Sequence, residues 1–402
     1  MPKGFSLEGV GIALEGHPLL RDLSLAINPE ERILLLGPSG SGKSTLLAAL
    51  AGLVPEAVPG EISGALSRPT APAALVFQDP ETQLVAATVA EDIVFALENR
   101  ALPRDLLQQA ASEGLALARL PADRECHRLS GGERQRVALA AALTAHRHLG
   151  GPLLLDEAIT DLDEDSTAAF FATLARHDGG WIATDHRIDP WRGLVDRVLV
   201  LDRSGRLALD GPAADVFARD LGALGIRLPG HSSALPARSG ALLAEDGPLK
   251  LHAGEVVALT GANGCGKTTL ARRLATANAK RTAMLFQNPE LGLTAATVAE
   301  QAPGVDLGDL GLAEARDRHP LRLSHGQKRR LALAGVFAAR RPLTILDEPS
   351  NGLDADGFAG LLADIAGVAA DGRAVLLISH DAELIARCAH RSVDLGETAH
   401  AG

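Results

Sequence analysis

The run Gly37-Pro38-Ser39-Gly40-Ser41-Gly42-Lys43-Ser44-Thr45 follows the apolar stretch Ile33–Leu36 and returns later in the chain. The second copy is Gly261-Ala262-Asn263-Gly264-Cys265-Gly266-Lys267-Thr268-Thr269, again after an apolar stretch, Val256–Leu259. Each fits G-x-x-x-x-G-K-[ST] between a strand and a helix. In such a loop glycines let backbone N–H groups close around phosphate oxygens, and the helix N-terminus favours an anion. One match can arise by chance in a glycine-rich chain; two matches, each after a strand, leave chance little room. Lys43 and Lys267 are expected to reach the phosphates, and Ser44 and Thr268 to hold Mg²⁺. Gly37, Ser39, Gly40, Gly42 and Thr45 are expected to line one phosphate site, and Gly261, Asn263, Gly264, Gly266 and Thr269 the other.

The loops are part of a longer duplication. Phe77-Gln78-Asp79-Pro80-Glu81 returns as Phe286-Gln287-Asn288-Pro289-Glu290, and Leu129-Ser130-Gly131-Gly132-Glu133 as Leu323-Ser324-His325-Gly326-Gln327. Leu155-Asp156-Glu157 returns as Leu346-Asp347-Glu348, and Thr184-Asp185-His186, more loosely, as Ile378-Ser379-His380. Five blocks recur in one order at a spacing too long for a solenoid, so the chain is a duplicated domain. Residues 222–240 mix Gly, Pro, Ser and Ala as a linker does, which predicts domains at 1–221 and 241–402. Strand-like runs alternate with helical ones: Ile33–Leu36, 42–51, Ala74–Phe77, Leu153–Asp156, 164–176 and Trp181–Thr184. That alternation predicts an α/β fold with a mainly parallel sheet in each copy.

Composition narrows the classes. The 402 residues are 46% hydrophobic, enough for two cores, and the net charge of −11 gives no basic footprint for nucleic acid. The longest apolar runs are strand-sized, far short of the ~20 residues that cross a bilayer, and the first residues do not resemble a signal peptide. Cys126, Cys265 and Cys388 are scattered, with no C-x-x-C pair, which predicts free thiols and no zinc site.

The other repeated blocks suggest chemistry. An apolar strand ending in Asp-Glu downstream of a phosphate loop predicts Asp156 and Asp347 as Mg²⁺ ligands, mostly through water. Glu157 and Glu348 would then orient and polarise the attacking water. His186 and His380 follow the next predicted strands and would hydrogen-bond the terminal phosphate. Gln78 and Gln287, at strand ends, would touch Mg²⁺ and the water. Ser130 reads as an N-cap opening an amphipathic helix. Such a terminus with Gly132 beside it is also an anion site, as are Ser324 and Gly326 in the second copy. Each phosphate loop already serves its own nucleotide, so this second anion site suits a nucleotide held by a partner domain.

Together these blocks resemble the ABC ATPases, over nearly the whole chain. Walker A, Q-loop, signature, Walker B, D-loop and H-loop occur in order, twice, with D-loops at Asp161-Leu162-Asp163 and Gly352-Leu353-Asp354. The stretch from Val76 through Gln83-Leu84-Val85-Ala86-Ala87-Thr88-Val89 to Ile93, echoed at 287–300, is similar to the energy-coupling ATPases of energy-coupling factor (ECF) transporters. Those transporters take up vitamins and cobalt or nickel. The resemblance implies ATP and Mg²⁺ as ligands and a helical subdomain in each copy, arranged as a head-to-tail intramolecular pair of ATPases. It implies a transmembrane coupling protein and a small substrate-binding membrane protein as partners, hence a place at the cytoplasmic face of the membrane. It also implies composite sites. One would join Lys43, Asp156, Glu157, Gln78 and His186 to Ser324 and Gly326; the other would join Lys267, Asp347, Glu348, Gln287 and His380 to Ser130 and Gly132.

The copies depart from one another. Gln78 to Ser130 spans 52 positions but Gln287 to Ser324 only 37, so the second helical subdomain is expected to be trimmed. His325 replaces the first signature glycine, which predicts that the site using it is the slower one. Ala158 stands where Walker B motifs commonly continue with proline, and Leu14 is the nearest candidate for the residue that stacks on adenine. The competing expectation is a soluble tandem ATPase acting on ribosomes or nucleic-acid machinery; the acidic balance and the short, weakly charged linker oppose it. A DNA-repair ATPase would need inserted coiled coils or zinc cysteines, and the sequence has neither.

Overall fold

The computed structural model describes residues 4–77, 83–159, 162, 164–185, 188–227, 240–247, 249–261, 265–323 and 325–395; for Glu164 and His325 only the backbone is described. The chain divides into two compact units, Met1–Leu228 and Pro229–Gly402.

In the first unit, β1 (Phe5–Leu14) and β2 (His17–Ile27) form an antiparallel pair. Strand β1 buries Phe5 and Leu7, then Val10 and Ile12, and the alternation slips one place at a bulge near Gly9. Gly9 takes a positive φ of 58° there, a conformation glycine adopts freely. Next come β3 (Arg32–Leu36), α1 (Lys43–Leu50), β4 (Gly60–Ser67) and β5 (Ala74–Val76). Two helices, α2 (Val89–Glu98) and α3 (Arg104–Ala118), precede α4 (Gly131–Leu149). The rest is β6 (Leu153–Asp156), α5 (Glu164–Leu174), β7 (Trp181–Thr184), β8 (Arg197–Leu201), β9 (Leu207–Pro212) and α6 (Ala213–Phe217). Strand β4 completes a three-stranded antiparallel sheet, β2-β1-β4.

The main sheet runs β5-β6-β7-β3-β8-β9, parallel throughout except that β9 pairs antiparallel with β8. Strands β3 and β6 are almost unbroken apolar runs because both faces are covered. Leu221 and Ile226 are buried with this unit's core. Packing therefore carries the first unit to residue 227, beyond the linker start the sequence suggested; residues 228–239 lie outside the described set.

The second unit has β10 (Leu242–Asp246), β11 (Leu249–His252), β12 (Val256–Thr260), α7 (Lys267–Ala277), β13 (Thr282–Leu285), α8 (Val298–Gln301) and α9 (His325–Ala338). Then follow β14 (Leu343–Asp347), α10 (Ala355–Ala370), β15 (Ala374–Ile378), α11 (Ala382–Cys388) and β16 (Arg391–Asp394). Its parallel sheet runs β13-β14-β15-β12-β16, the same order as β5-β6-β7-β3-β8. Helix α10 buries Phe358, Leu361, Ile365 and Val368, one stripe at helical spacing. Where the first unit inserts α2 and α3 ahead of α4, the second has only four-residue α8 and single turns ahead of α9. Among the described residues, no helix is long and apolar enough to cross a membrane.

Candidate active sites

In the first unit the loop lies beyond the end of β3, where strand order reverses in a doubly wound sheet and ligands bind. Gly40 and Gly42 both take positive φ, 80° and 94°. A Cβ at Gly42 would stand 2.6 Å from Leu20 Cδ2, so the position requires glycine twice over. Gly42 caps α1 without any side-chain hydrogen bond, which leaves the first N–H groups of α1 to the loop side. Lys43 is buried and donates from Nζ to the carbonyls of Gly37 (2.9 Å) and Pro38 (3.1 Å), so its charge is folded over the loop.

Strand register brings the acidic residues to this loop. Asp156 pairs with Thr184 across β6 and β7. Ser44 Oγ donates to Asp156 Oδ1 at 3.0 Å, and Thr184 Oγ1 donates to the same oxygen at 2.7 Å. Thr184 Oγ1 also accepts from the Glu157 N–H at 3.0 Å. Burial pushes the Asp156 carboxyl up from its ordinary value, against the hydrogen bond from Thr184; the neighbouring Glu157 adds to the rise.

The second unit repeats the arrangement with different partners. Gly266, at φ 100°, caps α7; Lys267 Nζ donates to the Gly261 carbonyl at 2.6 Å, and Thr268 Oγ1 to Asp347 Oδ2 at 3.0 Å. Asp347 is likewise raised by burial, against the Thr268 hydrogen bond. Here the Glu348 N–H donates to the Ile378 carbonyl (2.8 Å) instead of to a threonine hydroxyl. Its carboxylate accepts from Ser379 Oγ (3.3 Å) and the His380 N–H (3.4 Å), and His380 Nε2 lies 3.7 Å from Oε1. Burial pushes Glu348 up to about 7, opposed first by the His380 N–H. Glu157 and Glu348 both have positive φ, 46° and 48°, an uncommon state for a non-glycine residue that the fold enforces in both copies.

Each unit thus pairs a hydroxyl with a carboxylate, a hard-oxygen set that suits Mg²⁺ completed by water and phosphate oxygens. Ser44 and Asp156 would hold the ion in one unit, Thr268 and Asp347 in the other. Of the expected site residues, Gln78, His186, Asn263, Gly264 and Ser324 lie outside the described set. The backbone carbonyl of Gln287 accepts from Arg329 Nη1 at 3.1 Å.

Ser130 is an ordinary helix cap within its own unit. Its Oγ accepts from the Glu133 N–H (3.3 Å) while Glu133 Oε2 accepts from the Ser130 N–H (2.8 Å). The two signature glycines differ in what they permit. A Cβ at Gly132 would come 2.6 Å from Ser166 Oγ, whereas at Gly131 it would meet nothing within 4 Å. The position occupied by His325 in the second copy is thus one where the first copy has room for a side chain.

Sequence reasoning missed Thr184, whose signal was the loosened repeat Thr184-Asp185-His186 against Ile378-Ser379-His380. It also missed the anchors of the segment that follows Gln78 or Gln287 in each unit. Asp92 Oδ1 accepts from the N–H groups of Val85 (2.9 Å) and Ala86 (3.0 Å). Gln301 Oε1 accepts from Thr294 and Ala295, both at 3.0 Å. Both anchors stand four residues past a threonine N-cap, Thr88 or Thr297, which was the available signal.

Cys265 is the exposed thiol of the three, one residue before the Gly266 cap. Cys126 and Cys388 are buried, and burial pushes them up to about 11 and about 12, so neither presents a thiolate at neutral pH. A maleimide should therefore label Cys265 first and block ATP at the second loop, and ATP should protect it. Labelling at an unchanged rate under saturating ATP would remove Cys265 from the nucleotide's footprint.

Comparison with known proteins fits this geometry. The profile of the ABC transporter family matches residues 20–160, 245–291 and 275–351. A protein of Bacillus subtilis (strain 168), provisionally named HMP/thiamine import ATP-binding protein YkoD, is 32% identical over 95% of this chain and 87% of its own length. A provisionally named ABC transporter ATP-binding protein of Methanosarcina acetivorans is 30% identical over 92% of this chain and 84% of its own. Among solved structures, archaeal ABCE1 bound to the ribosome with Pelota superposes with a TM-score of 0.70 at 20% identity, over 96% of this chain and 76% of that one. RNase-L Inhibitor gives 0.61 at 19%, over 96% and 88%. At such identities the structural likeness speaks for the fold alone. The profile match and the relatives, added to two phosphate loops each joined to an Asp-Glu strand end, place this chain in the ABC transporter family as a tandem ATP-binding protein that hydrolyses ATP.

Proposed function

We propose that the chain is the ATP-hydrolysing subunit of an importer of the ECF kind, acting at the cytoplasmic face of the membrane. It drives a transmembrane coupling protein that in turn holds a small substrate-binding membrane protein. The cargo class is a vitamin or a transition-metal ion. The observation that carries this reading is apolar exposure along one stretch of the first unit. Among the described residues, the exposed large apolar side chains are Phe77, Val85, Phe95 and Leu106 between residues 77 and 106, and Leu242, Leu291 and Leu321 in the second unit. Apolar exposure concentrated in one part of a chain suits a partner surface. Two of these, Phe77 and Val85, fall on the stretch that resembles the ECF ATPases, and the similar Bacillus subtilis protein is named for import.

Within each unit, Lys43 or Lys267 neutralises phosphate charge; Ser44 and Asp156, or Thr268 and Asp347, would hold Mg²⁺, which would supply electrostatic stabilisation of the transferring phosphoryl group. Glu157 or Glu348 accepts the proton of the attacking water. Domain movement linked to ATP then passes to the membrane partner.

Affinity purification of the tagged chain from native membranes tests the class. An integral membrane protein and a second, small one should co-purify in detergent. Recovery of ribosomes in their place would overturn the importer reading while leaving ATP hydrolysis intact.

A further inference from the structure

One hydroxyl beside the first phosphate loop makes two bonds for which the second unit has no side-chain counterpart. Thr184 ends β7 and is fully buried, so its hydroxyl is not shared with bulk water. A threonine hydroxyl has one proton to give and lone pairs with which to accept. The proton goes to Asp156 Oδ1 at 2.7 Å, and the oxygen accepts from the Glu157 N–H at 3.0 Å. Ser44 Oγ donates to the same Asp156 oxygen at 3.0 Å, so two hydroxyls hold one carboxylate oxygen. Strand register in the second unit is the same, with Asp347 opposite Ile378 as Asp156 is opposite Thr184, but isoleucine has no donor. There the Glu348 N–H donates to the main-chain carbonyl of Ile378 at 2.8 Å. A side chain thus holds the backbone at Glu157, and backbone holds it at Glu348, although both glutamates have positive φ.

We propose that Thr184 is a positioning residue peculiar to the first ATP site: its hydroxyl orients the Asp156 carboxylate toward the metal ion and fixes the backbone that presents Glu157. The proposal rests on the reading of Asp156 and Glu157 given above. A group that orients a metal-binding carboxylate acts on metal affinity. It has little hold on the nucleotide, whose phosphates rely on Lys43 and the loop glycines. The first site therefore depends for its metal on one side chain that the second site does without.

The test uses the full chain with a non-hydrolysable ATP analogue and Mn²⁺ in place of Mg²⁺, bound Mn²⁺ being counted by electron paramagnetic resonance. Thr184→Val keeps the shape and removes the hydroxyl; it should weaken Mn²⁺ at one of the two sites about tenfold. Binding of the analogue in EDTA should stay within about twofold, because the phosphate loop is untouched. Hydrolysis by the Glu348→Gln chain, which reports the first site, should fall about tenfold when Thr184→Val is added. Thr184→Ser can make both bonds and should keep Mn²⁺ affinity and rate within about threefold of the parent. Unweakened Mn²⁺ binding in Thr184→Val, or an equal loss in Thr184→Ser, overturns the proposal in favour of simple packing. Should Thr184→Val fail to fold, as judged by circular dichroism, Thr184→Ala takes its place with the same two outcomes. Asp156→Asn reads the premise separately: Mn²⁺ binding undiminished at both sites there would remove the premise, whatever Thr184 does.

Discussion

Replacing Glu157 and Glu348 together by glutamine should lower ATP hydrolysis by about 10³-fold while ATP still binds. Glutamine keeps the size and the hydrogen-bonding oxygen of each side chain but cannot take a proton. Both glutamates are buried, 6% and 8% exposed, so each substitution removes a proton acceptor that bulk water does not readily replace. Binding relies on other groups, Lys43 and Lys267 with the loop glycines, and should persist. Phosphate release and titration with a fluorescent ATP analogue separate the two effects. A doubly substituted chain that retains a tenth of the parent rate would exclude these glutamates as the bases. The single variants should lose unequal amounts, because the two glutamates have different surroundings: Thr184 in one unit, Ser379 and His380 in the other. Equal losses would argue against asymmetry.

The pH dependence has a definite sign. Glu348 is pushed up to about 7 in the folded chain from an ordinary 4.5. The carboxylate base therefore accumulates as pH rises through about 7, and hydrolysis by the Glu157→Gln chain should rise over the same window. Stability runs the other way. The folded state binds this proton more tightly than the unfolded state, so the stabilisation is full below about 4.5 and is lost as pH rises through about 7.

Trp191→Ala should destabilise the first unit by about 4 kcal/mol. Trp191 is 0% exposed and packs at 5.0 Å edge-on to Phe171 and at 5.4 Å against Trp181. Truncation leaves a cavity in the largest core of the unit. It also removes the indole N–H that donates to Asp185 Oδ2 at 2.7 Å, leaving a buried carboxylate short of a donor. Trp191→Phe keeps most of the ring but not the donor, and should cost less than Trp191→Ala, about 1–3 kcal/mol. Both tryptophans of the chain, Trp181 and Trp191, lie in the first unit. Fluorescence-detected melting therefore follows that unit selectively, which matters because a two-unit chain need not unfold in one step. The remaining tryptophan, Trp181, supplies the signal in either variant. An unfolding midpoint unchanged in Trp191→Ala would contradict the packing described above.

The local part of this protein was legible before any coordinates. A phosphate loop, a capped signature helix and an apolar strand ending in Asp-Glu are each written in consecutive residues. Their backbone requirements, such as the positive φ of Gly42 and Gly266, act on immediate neighbours. The duplication made each reading twice as secure, and the parallel sheet followed from strand and helix alternation. The antiparallel β2-β1-β4 sheet and the reversed edge strand β9 were not foreseen, because their pairing depends on partners far along the chain.

What the sequence by itself determined is the order of the repeated blocks and the candidates for the reacting groups, because these are properties of short segments. Tertiary structure alone decided what each group touches. Thr184 meets Asp156 and Glu157 only because register sets β7 beside β6, across 28 and 27 positions of chain. A Cβ at Gly132 would crowd the Ser166 hydroxyl, while at Gly131 it would meet nothing within 4 Å. Arg329 reads as one more charge on a helix until packing buries it with its guanidinium on the Gln287 carbonyl. In each case the deciding interaction joins residues distant in sequence, and no local propensity encodes such a contact.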